Sequence, residues 1–284
     1  MSAKFGPAGT PESFAAMGYK GSLDVPEYVT KMGLDAFEYQ CGRGVNIGED
    51  KAKQLGVLAA EKGIALSLHA PYYISLASAE PEKLDNSINY ILQSARAAAW
   101  MGATRVVVHP GGKGKMLRSD AVDLAISTFK RAIEAVDSEG LGHITLCPET
   151  MGKINQLGDL DEIMRFCAVD ERVIPCIDFG HLNARTQGGL ATREAVEKVF
   201  DTMQNAIGTD RMRLYHAHFS KIEYSTGGEV RHLTFDDTEY GPSYEHLMEI
   251  TYARGCSPTI ICESAGTQAE DALMMKTYYK SLGE

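Results

Sequence analysis

The sequence predicts a (β/α)8 barrel, and two observations predict it. Eight short runs rich in apolar and β-branched residues alternate with longer amphipathic stretches along the 284-residue chain. That alternation is typical of parallel βαβ units, and eight such units in roughly 250 residues match the usual size of a (β/α)8 barrel. An open doubly wound sheet is the alternative, but no glycine-rich dinucleotide fingerprint follows an early strand. We therefore predict one barrel domain over residues 1–284.

The first of the eight predicted strands has the weakest pattern. The strands are predicted at residues 4–6, 36–40, 65–70, 105–109, 144–149, 173–178, 213–219 and 259–263. Between them, apolar residues recur at helical spacing, which predicts amphipathic helices. These helices are predicted at residues 50–61, 86–101, 119–136, 160–167, 194–206 and 244–252.

The composition is typical of a globular protein of the cytoplasm. Hydrophobic residues make up 44% of the chain, and its six cysteines form no Cys-x-x-Cys pair. The N-terminus has no basic region followed by an apolar run, and no stretch approaches the roughly 18 apolar residues of a membrane helix. We expect reduced thiols, a monomer, and no membrane partner.

The net charge of −10 bears on the partners of the protein. A protein held to nucleic acid by general charge alone is usually basic, so this balance counts against non-specific binding of that kind. It excludes neither a local basic groove nor a site where bound cations supply the positive charge.

Histidines and carboxylates fall at the carboxyl ends of six consecutive predicted strands. They are His69, His109, Glu149, Asp178 with His181, His216 with His218, and Glu263. In a parallel barrel these ends share one face, where active sites form. Clustered buried carboxylates would repel each other there, and divalent cations remove that repulsion. Because the donors are imidazoles and carboxylates without thiolates, we predict a site for zinc, manganese or iron(II).

Each of these side chains alone has a simpler explanation. A lone histidine at a strand end is more often a hydrogen-bonded structural residue, and a lone glutamate is more often an ion-pair partner. His143, ahead of the fifth strand, is interpreted as structural, and His246, inside a predicted helix, as a surface residue. His218 shares the face of His216, and three roles stay open for it: metal ligand, support of a ligand, or substrate contact.

Seven motifs together resemble the endonuclease IV family, also called AP endonuclease family 2, within the xylose-isomerase-like barrels. They extend from about residue 5 to residue 266 and read LHAPYYISLAS, VVVHPGG, CPETMGKINQLGDLDEI, CIDFGHLNA, HAHFSK, RH and CES. Their combination is specific, whereas any one of them alone is not. The resemblance implies a zinc-dependent phosphodiester hydrolase that cleaves DNA on the 5′ side of abasic sites in base excision repair.

The resemblance also implies a set of ligands for two or three zinc ions, with manganese or iron(II) as alternatives. His69 and His109 would bind one metal, and Glu149 would bridge it to a second and orient the attacking water. The remaining ligands of the second site would be Asp178, His216 and Glu263.

For a third metal, the resemblance implies His181 and His232. The family has an aspartate two residues before the second of these histidines, but this chain has Val230 there. A valine cannot ligate a metal, so the third site could be weaker, be empty, use His218, or use another carboxylate. The nearby carboxylates are Glu229, Asp236 and Asp237.

Three residues match family positions that contact DNA. Tyr72 stands where the family has a tyrosine that enters the DNA at the lesion, and a plain aromatic rim residue is its alternative explanation. The loop after the second strand keeps Gln40 and Arg43 but is shorter and less basic than the intercalating loop of the family. Four further basic residues are weaker candidates for phosphate contacts: Lys113, Lys115, Arg118 and Lys221.

A sugar isomerase or epimerase of the wider family is the second hypothesis, and the acidic net charge fits it more easily. One metal ion, held by Glu149, Asp178, His216 and Glu263, would suffice for that chemistry. The nuclease is favoured because a mononuclear isomerase has little use for four further histidines at the mouth. These are His69, His109, His181 and His232. A non-catalytic, metal-stabilised scaffold is the third hypothesis.

Overall fold

Eight parallel strands form the wall of a barrel in the structure, a computed structural model that describes residues 3–283. In chain order the strands are β1 Lys4–Pro7, β2 Ala36–Gln40, β3 Ala65–His69, β4 Arg105–Val108, β5 Thr145–Pro148, β6 Cys176–Asp178, β7 His216–Phe219, β8 Lys221–Ser225, β9 Gly228–Leu233 and β10 Thr259–Cys262. Strands β8 and β9 form a separate antiparallel hairpin, and the other eight form the wall. The predicted (β/α)8 barrel is confirmed.

The wall consists of two arcs of four strands each. The first arc has the order β2-β3-β4-β5, and the second arc has the order β1-β10-β7-β6. All pairs within the arcs are parallel. Two seams close the barrel: a single bridge joins Ala8 to Glu38 between β1 and β2, and another joins Glu149 to Cys176 between β5 and β6. The seams are thus less extensively hydrogen-bonded than the arcs.

Helices surround the wall, and all six predicted helices are present. The helices are α1 Glu12–Ala16, α2 Val25–Lys31, α3 Glu49–Glu61, α4 Pro81–Trp100, α5 Arg118–Ser138, α6 Leu160–Cys167, α7 Phe179–Arg185, α8 Arg193–Ile207, α9 Thr209–Arg213, α10 Tyr244–Ala253 and α11 Gln268–Ser281. Helix α4 begins five residues before its predicted start because Pro81 suits the first turn of a helix. In α6, Asp159 and Glu162 form a reciprocal capping box that fixes the helix start.

The β8–β9 hairpin was not predicted. Its two strands are short and contain several charged residues. Strand β8 begins only one residue after β7 ends, with no helix between them, so a pattern of strands alternating with helices does not predict it. The hairpin packs along the loop that follows β5, where the amide of Ile154 donates to the carbonyl of Gly227. It therefore adds a wall to the mouth of the barrel.

The interior of the protein is mainly apolar, and the buried histidines lie under the mouth of the barrel. All six cysteines are buried and free, in agreement with the expected reduced thiols. His143 is exposed at the opposite end of the barrel from the mouth, and His246 is half-buried on α10. Among residues 3–283, no helix has the length and apolarity that crossing a bilayer requires.

Candidate metal centre

Five of the predicted side chains reach the mouth directly from strand ends. His69 is the last residue of β3 and Asp178 the last of β6, whereas His109, Glu149 and Glu263 directly follow β4, β5 and β10. Glu149 and Asp178 are fully buried. Because all strands of a parallel barrel end on one face, residues far apart in the chain meet there.

The first group of donor atoms comprises His69, His109 and Glu149. The Oε2 atom of Glu149 lies 3.2 Å from Nε2 of His69 and 2.8 Å from Nε2 of His109. The Nδ1 atom of His69 lies 2.8 Å from the carbonyl oxygen of Ala70, to which only a protonated nitrogen can donate. The Nε2 lone pair of His69 is therefore free to face the group.

The second group comprises Glu149, Asp178, His218 and Glu263. Here the other oxygen of Glu149, Oε1, lies 3.0 Å from Nδ1 of His218, and Nδ1 of His218 lies 3.5 Å from Oε1 of Glu263. Glu149 thus stands between the two groups with one oxygen turned to each.

The structure does not bring His216 into the second group. Its Nε2 atom lies 2.9 Å from Oε2 of Glu38, deeper in the barrel. Strand β7 begins at His216, so His218 lies two residues nearer the carboxyl end and reaches the mouth instead. The structure therefore places His218, and not the expected His216, beside the other donors of the second group.

The third group comprises His181, Glu229 and His232. The Nδ1 atom of His181 lies 2.9 Å from the carbonyl oxygen of Thr150, and its Nε2 atom lies 3.5 Å from Oε2 of Glu229. His232 uses its Nδ1 atom in a 2.8 Å hydrogen bond with Ser220. Both histidines consequently turn Nε2 toward the group.

A β-bulge explains how Glu229 takes the place expected for a carboxylate at position 230. Ile222 pairs with His232 and Glu223 with Arg231, but Tyr224 then pairs with Glu229. Val230 is the extra residue, and its side chain is 49% exposed. Because side chains alternate along a strand, the bulge returns Glu229 to the face of His232.

Gly152 makes room for this carboxylate. A Cβ atom on Gly152 would lie 2.6 Å from Cβ of Glu229 and 3.1 Å from Cδ2 of His181. The loop after β5 and the hairpin therefore approach so closely that only glycine fits at this point.

The donor set fits divalent metal ions. Asp178 uses Oδ1 to accept from the amide of His181 at 2.7 Å, whereas its buried Oδ2 atom has no hydrogen-bond partner. The Nδ1 atom of His181 lies 3.3 Å from this oxygen without forming a hydrogen bond to it. A buried carboxylate oxygen without a hydrogen bond is costly, and a cation beside it removes the cost. Imidazole nitrogens with carboxylate oxygens suit zinc, manganese and iron(II).

Comparison with known proteins agrees with this architecture. The family described as the xylose isomerase-like TIM barrel matches residues 26–278. The chain belongs to this family. The predicted resemblance to endonuclease IV is confirmed as well. A protein of Acholeplasma laidlawii named "Probable endonuclease 4" is 26% identical to this xylose isomerase-like barrel, and the match covers 71% of this chain and 68% of that protein. An uncharacterized protein of Methanocaldococcus jannaschii is 34% identical over 96% of both chains.

Solved structures resemble the xylose isomerase-like barrel over nearly its whole length. Endonuclease IV from Thermus thermophilus superposes with a TM-score of 0.73 at 20% identity, covering 98% of this chain and 99% of that one. A D-tagatose 3-epimerase-like protein superposes equally well, with a TM-score of 0.73 at 19% identity and coverage of 98% and 97%. At sequence identities of 20% and 19%, these two similarities show a shared fold only.

Burial and neighbouring charges shift the pKa values of side chains in the centre of this xylose isomerase-like barrel. Burial acts against the ionisation of Glu149, but His218 and His109 outweigh it and hold the pKa of Glu149 well below its usual range. Burial raises the pKa of Asp178, and Glu263 raises it further although His181 opposes the shift. Burial acts against protonation of His69, but Glu149 outweighs it and raises the pKa of His69 to about 9. The metal-free centre therefore holds protons that a bound metal ion would displace.

A cavity of about 320 Å³ lies over the three groups. Gln40 and Tyr72, two of the expected substrate contacts, line it, and the Tyr72 side chain is 57% exposed. Arg43 lies on the exposed turn after β2 and is not among the lining residues. Sequence reasoning did not single out Lys153, which contributes the cationic side chain that lines the cavity.

The loop of residues 151–157, called the β5 loop here, forms one wall of this cavity and is tightly held. Arg185 donates to the carbonyls of Met151 and Lys153 at 3.1 and 2.8 Å. Arg118 donates to the carbonyls of Ile154 and Gln156 at 3.0 and 3.1 Å. Arg118, considered above for phosphate contacts, is therefore engaged by protein oxygens, as is Lys221, which donates to two backbone carbonyls.

Proposed function

We propose that the protein is a zinc-dependent phosphodiester hydrolase that incises DNA on the 5′ side of abasic sites, as expected from its likeness to endonuclease IV. The observation that carries the proposal is that three of the five possible metal-binding groups adjoin one another at the mouth, with Glu149 shared between two of the three. The relatives named "Probable endonuclease 4" support it. The proposal takes residues 1–284 as one domain that acts as a monomer in the cytoplasm.

The three donor groups would hold the metal ions. His69, His109 and Glu149 would hold the first ion, and His181, Glu229 and His232 the third. The ligands of the second would be Glu149, Asp178, His218 and Glu263. Zinc bound there supplies Lewis-acid stabilisation of a phosphate oxygen and a lower pKa for an attacking water.

The chain's own residues supply orientation and binding. The ionised carboxylate of Glu149 lies between two groups, where it can accept a hydrogen bond from the attacking water and fix its direction. The exposed ring of Tyr72 offers a face on which a base beside the lesion can stack. Lys153 lines the same cavity, where its ammonium group can pair with a phosphate of the DNA backbone.

A sugar epimerase is the second candidate, and one observation favours it. Glu149, Asp178, His218 and Glu263 on their own provide two glutamates, an aspartate and a histidine for a single metal ion. The net charge of −10 and the small number of cations at the cavity also suit a small neutral substrate better than DNA.

Incubation of the zinc-loaded protein with a duplex that carries one tetrahydrofuran abasic analogue tests the proposal. We expect a single incision on the 5′ side of the analogue, none in the undamaged duplex, and none with Glu149→Gln. An intact duplex at full metal occupancy, together with turnover of a ketose sugar by the same preparation, would replace the nuclease by the epimerase.

A further inference from the structure

Glu38 is a fully buried carboxylate that the proposed chemistry does not use. It lies in the middle of β2 and points into the barrel interior beneath the metal centre. A carboxylate without exposed surface is stable only if several donors compensate its charge. Its partners therefore indicate what it does.

Three groups can donate hydrogen bonds to Glu38, and a fourth nitrogen, Nε2 of His218, lies close to it outside hydrogen-bond geometry. The Oε2 atom accepts from Oγ of Ser67 at 2.9 Å and lies 2.9 Å from Nε2 of His216. The Oε1 atom accepts from Nε2 of Gln40 at 3.1 Å and lies 2.9 Å from Nε2 of His218. Burial opposes ionisation of Glu38, but His218 and His216 outweigh it and keep its pKa well below the usual range.

The ring protonation of His216 follows from its neighbours. Arg105 has only donors, and its Nη1 atom lies 3.5 Å from Nδ1 of His216. The Nδ1 atom of His216 is consequently the accepting nitrogen, and Nε2 carries the proton that it donates to Glu38. Consecutive side-chain contacts thus connect Arg105 to His216, His216 to Glu38, and Glu38 to His218.

The same reasoning orients His218. Its Nε2 atom lies 2.9 Å from Oε1 of Glu38. A ring lone pair at that distance would be repelled by the carboxylate, so the proton of the neutral ring lies on Nε2 and Nδ1 keeps its lone pair. That Nδ1 atom faces Oε1 of Glu149 at 3.0 Å and Oε1 of Glu263 at 3.5 Å. Histidines that bind metals commonly donate their other ring proton to a carboxylate, which fixes the ring and makes it a stronger ligand.

We propose that Glu38 is a positioning residue that fixes His218 as an Nδ1 ligand of the second metal, and that His216 acts on the centre through Glu38. This role rests on the proposed metal site but on no particular substrate. It explains why β7 carries two inward-facing histidines of which one reaches the mouth.

A separate metal ion held by Cys176, His216 and His218 is the competing explanation for the two histidines. An ion there would bind His216, whereas in the proposed arrangement His216 binds no metal and donates to Glu38. The two explanations therefore predict different metal ligands.

Zinc titration of the full-length, chelator-stripped protein against a chromophoric competitor tests the role of Glu38. We expect Glu38→Gln to weaken the second zinc site about 10- to 100-fold and to alter the absorption spectrum of cobalt bound there. The matched control is Asp35→Asn. Asp35 directly precedes β2, where it accepts hydrogen bonds from the amide of Phe5 and from Lys276 at the end of the barrel opposite the metal centre. The substitution should lower thermal stability without changing zinc affinity. Unchanged affinity and an unchanged cobalt spectrum in folded Glu38→Gln would overturn the proposal.

Nuclear magnetic resonance of the unmodified sequence provides a second test that does not depend on the folding of a variant. In protein with isotope-labelled histidine nitrogens, we expect bound cadmium to couple to Nδ1 of His218 while Nε2 keeps its proton. Coupling to Nε2 of His218, or an ion bound to His216, would overturn the proposal. If the protein failed to incise DNA, both measurements could still support the role of Glu38. Failure of the nuclease hypothesis is therefore distinguishable from failure of this proposal.

Discussion

The Oε2 atom of Glu229 lies 3.5 Å from the Nε2 atom of His181, although Glu229 is one residue away from the position at which the sequence pattern requires a carboxylate. The bulge at Val230 brings the two side chains together, and Gly152 leaves the space for them. A missing aspartate is thus compensated by a change of register in the hairpin.

Replacement of Glu229 by alanine should remove one metal ion per chain. The third group would keep only the two histidines, His181 and His232, which is too few ligands to retain zinc in competition with a weak chelator. Metal analysis of the dialysed protein measures the loss. Glu223→Ala is the control, because Glu223 belongs to the same hairpin but pairs with Arg231. An unchanged metal count in Glu229→Ala would exclude Glu229 from the ligands.

Gly152→Ala should weaken the third site without altering any ligand. The added methyl group would collide with Glu229 and push the hairpin away from the β5 loop. We expect a loss of the same ion and a fall in the free energy of unfolding of about 1–3 kcal/mol, measured by chemical denaturation. In the control, Gly227→Ala, the new Cβ meets only Ser225 Oγ at 3.7 Å. Full metal content in Gly152→Ala would show that the hairpin adapts.

Glu149→Gln should reduce the rate of the reaction by more than about 100-fold, because the amide would replace a carboxylate oxygen that faces a metal ligand on each side. His246→Ala should retain activity, since His246 lies on α10 away from the mouth. Steady-state rates of both purified variants check this. Similar activity in the two variants would mean that the site is misplaced.

The cysteines should be unreactive in the folded protein. Burial raises the pKa of Cys41, Cys147 and Cys262 to about 12 each, so at pH 8 these thiols stay protonated and are poor nucleophiles. An aromatic disulfide reagent should label no thiol rapidly in the native state and all six after denaturation. A fast-reacting thiol in the native protein would contradict this.

Local patterns were sufficient to predict the barrel and most of the mouth. A histidine or carboxylate that directly follows an apolar strand lies at the strand end in any register, which is why His69, His109 and Glu149 were found without a structure. The choice between His216 and His218 was beyond such patterns. Both face inward, and only the depth at which β7 begins separates them.

Two other features depend on contacts that no local pattern records. Glu38 is a single carboxylate in an apolar strand, and its partner His216 is distant in the sequence. The bulge at Val230 breaks the two-residue alternation from which side-chain direction was inferred. Residues whose role is set by pairing across the fold are therefore those that sequence reasoning missed.

The division of the wall into two arcs has a consequence for the order of assembly. The first arc is made of consecutive strands and is complete in the chain by Pro148, so it can form while the rest is still being synthesised. The second arc joins β1 to β10, the earliest strand to the latest, and such distant pairing is slow. Glu149 lies at the junction of the arcs, with His69 and His109 on one side and Asp178, His218 and Glu263 on the other. The donor atoms of the candidate metal centre therefore come together only when the final strand docks, so we expect metal binding to follow completion of the barrel.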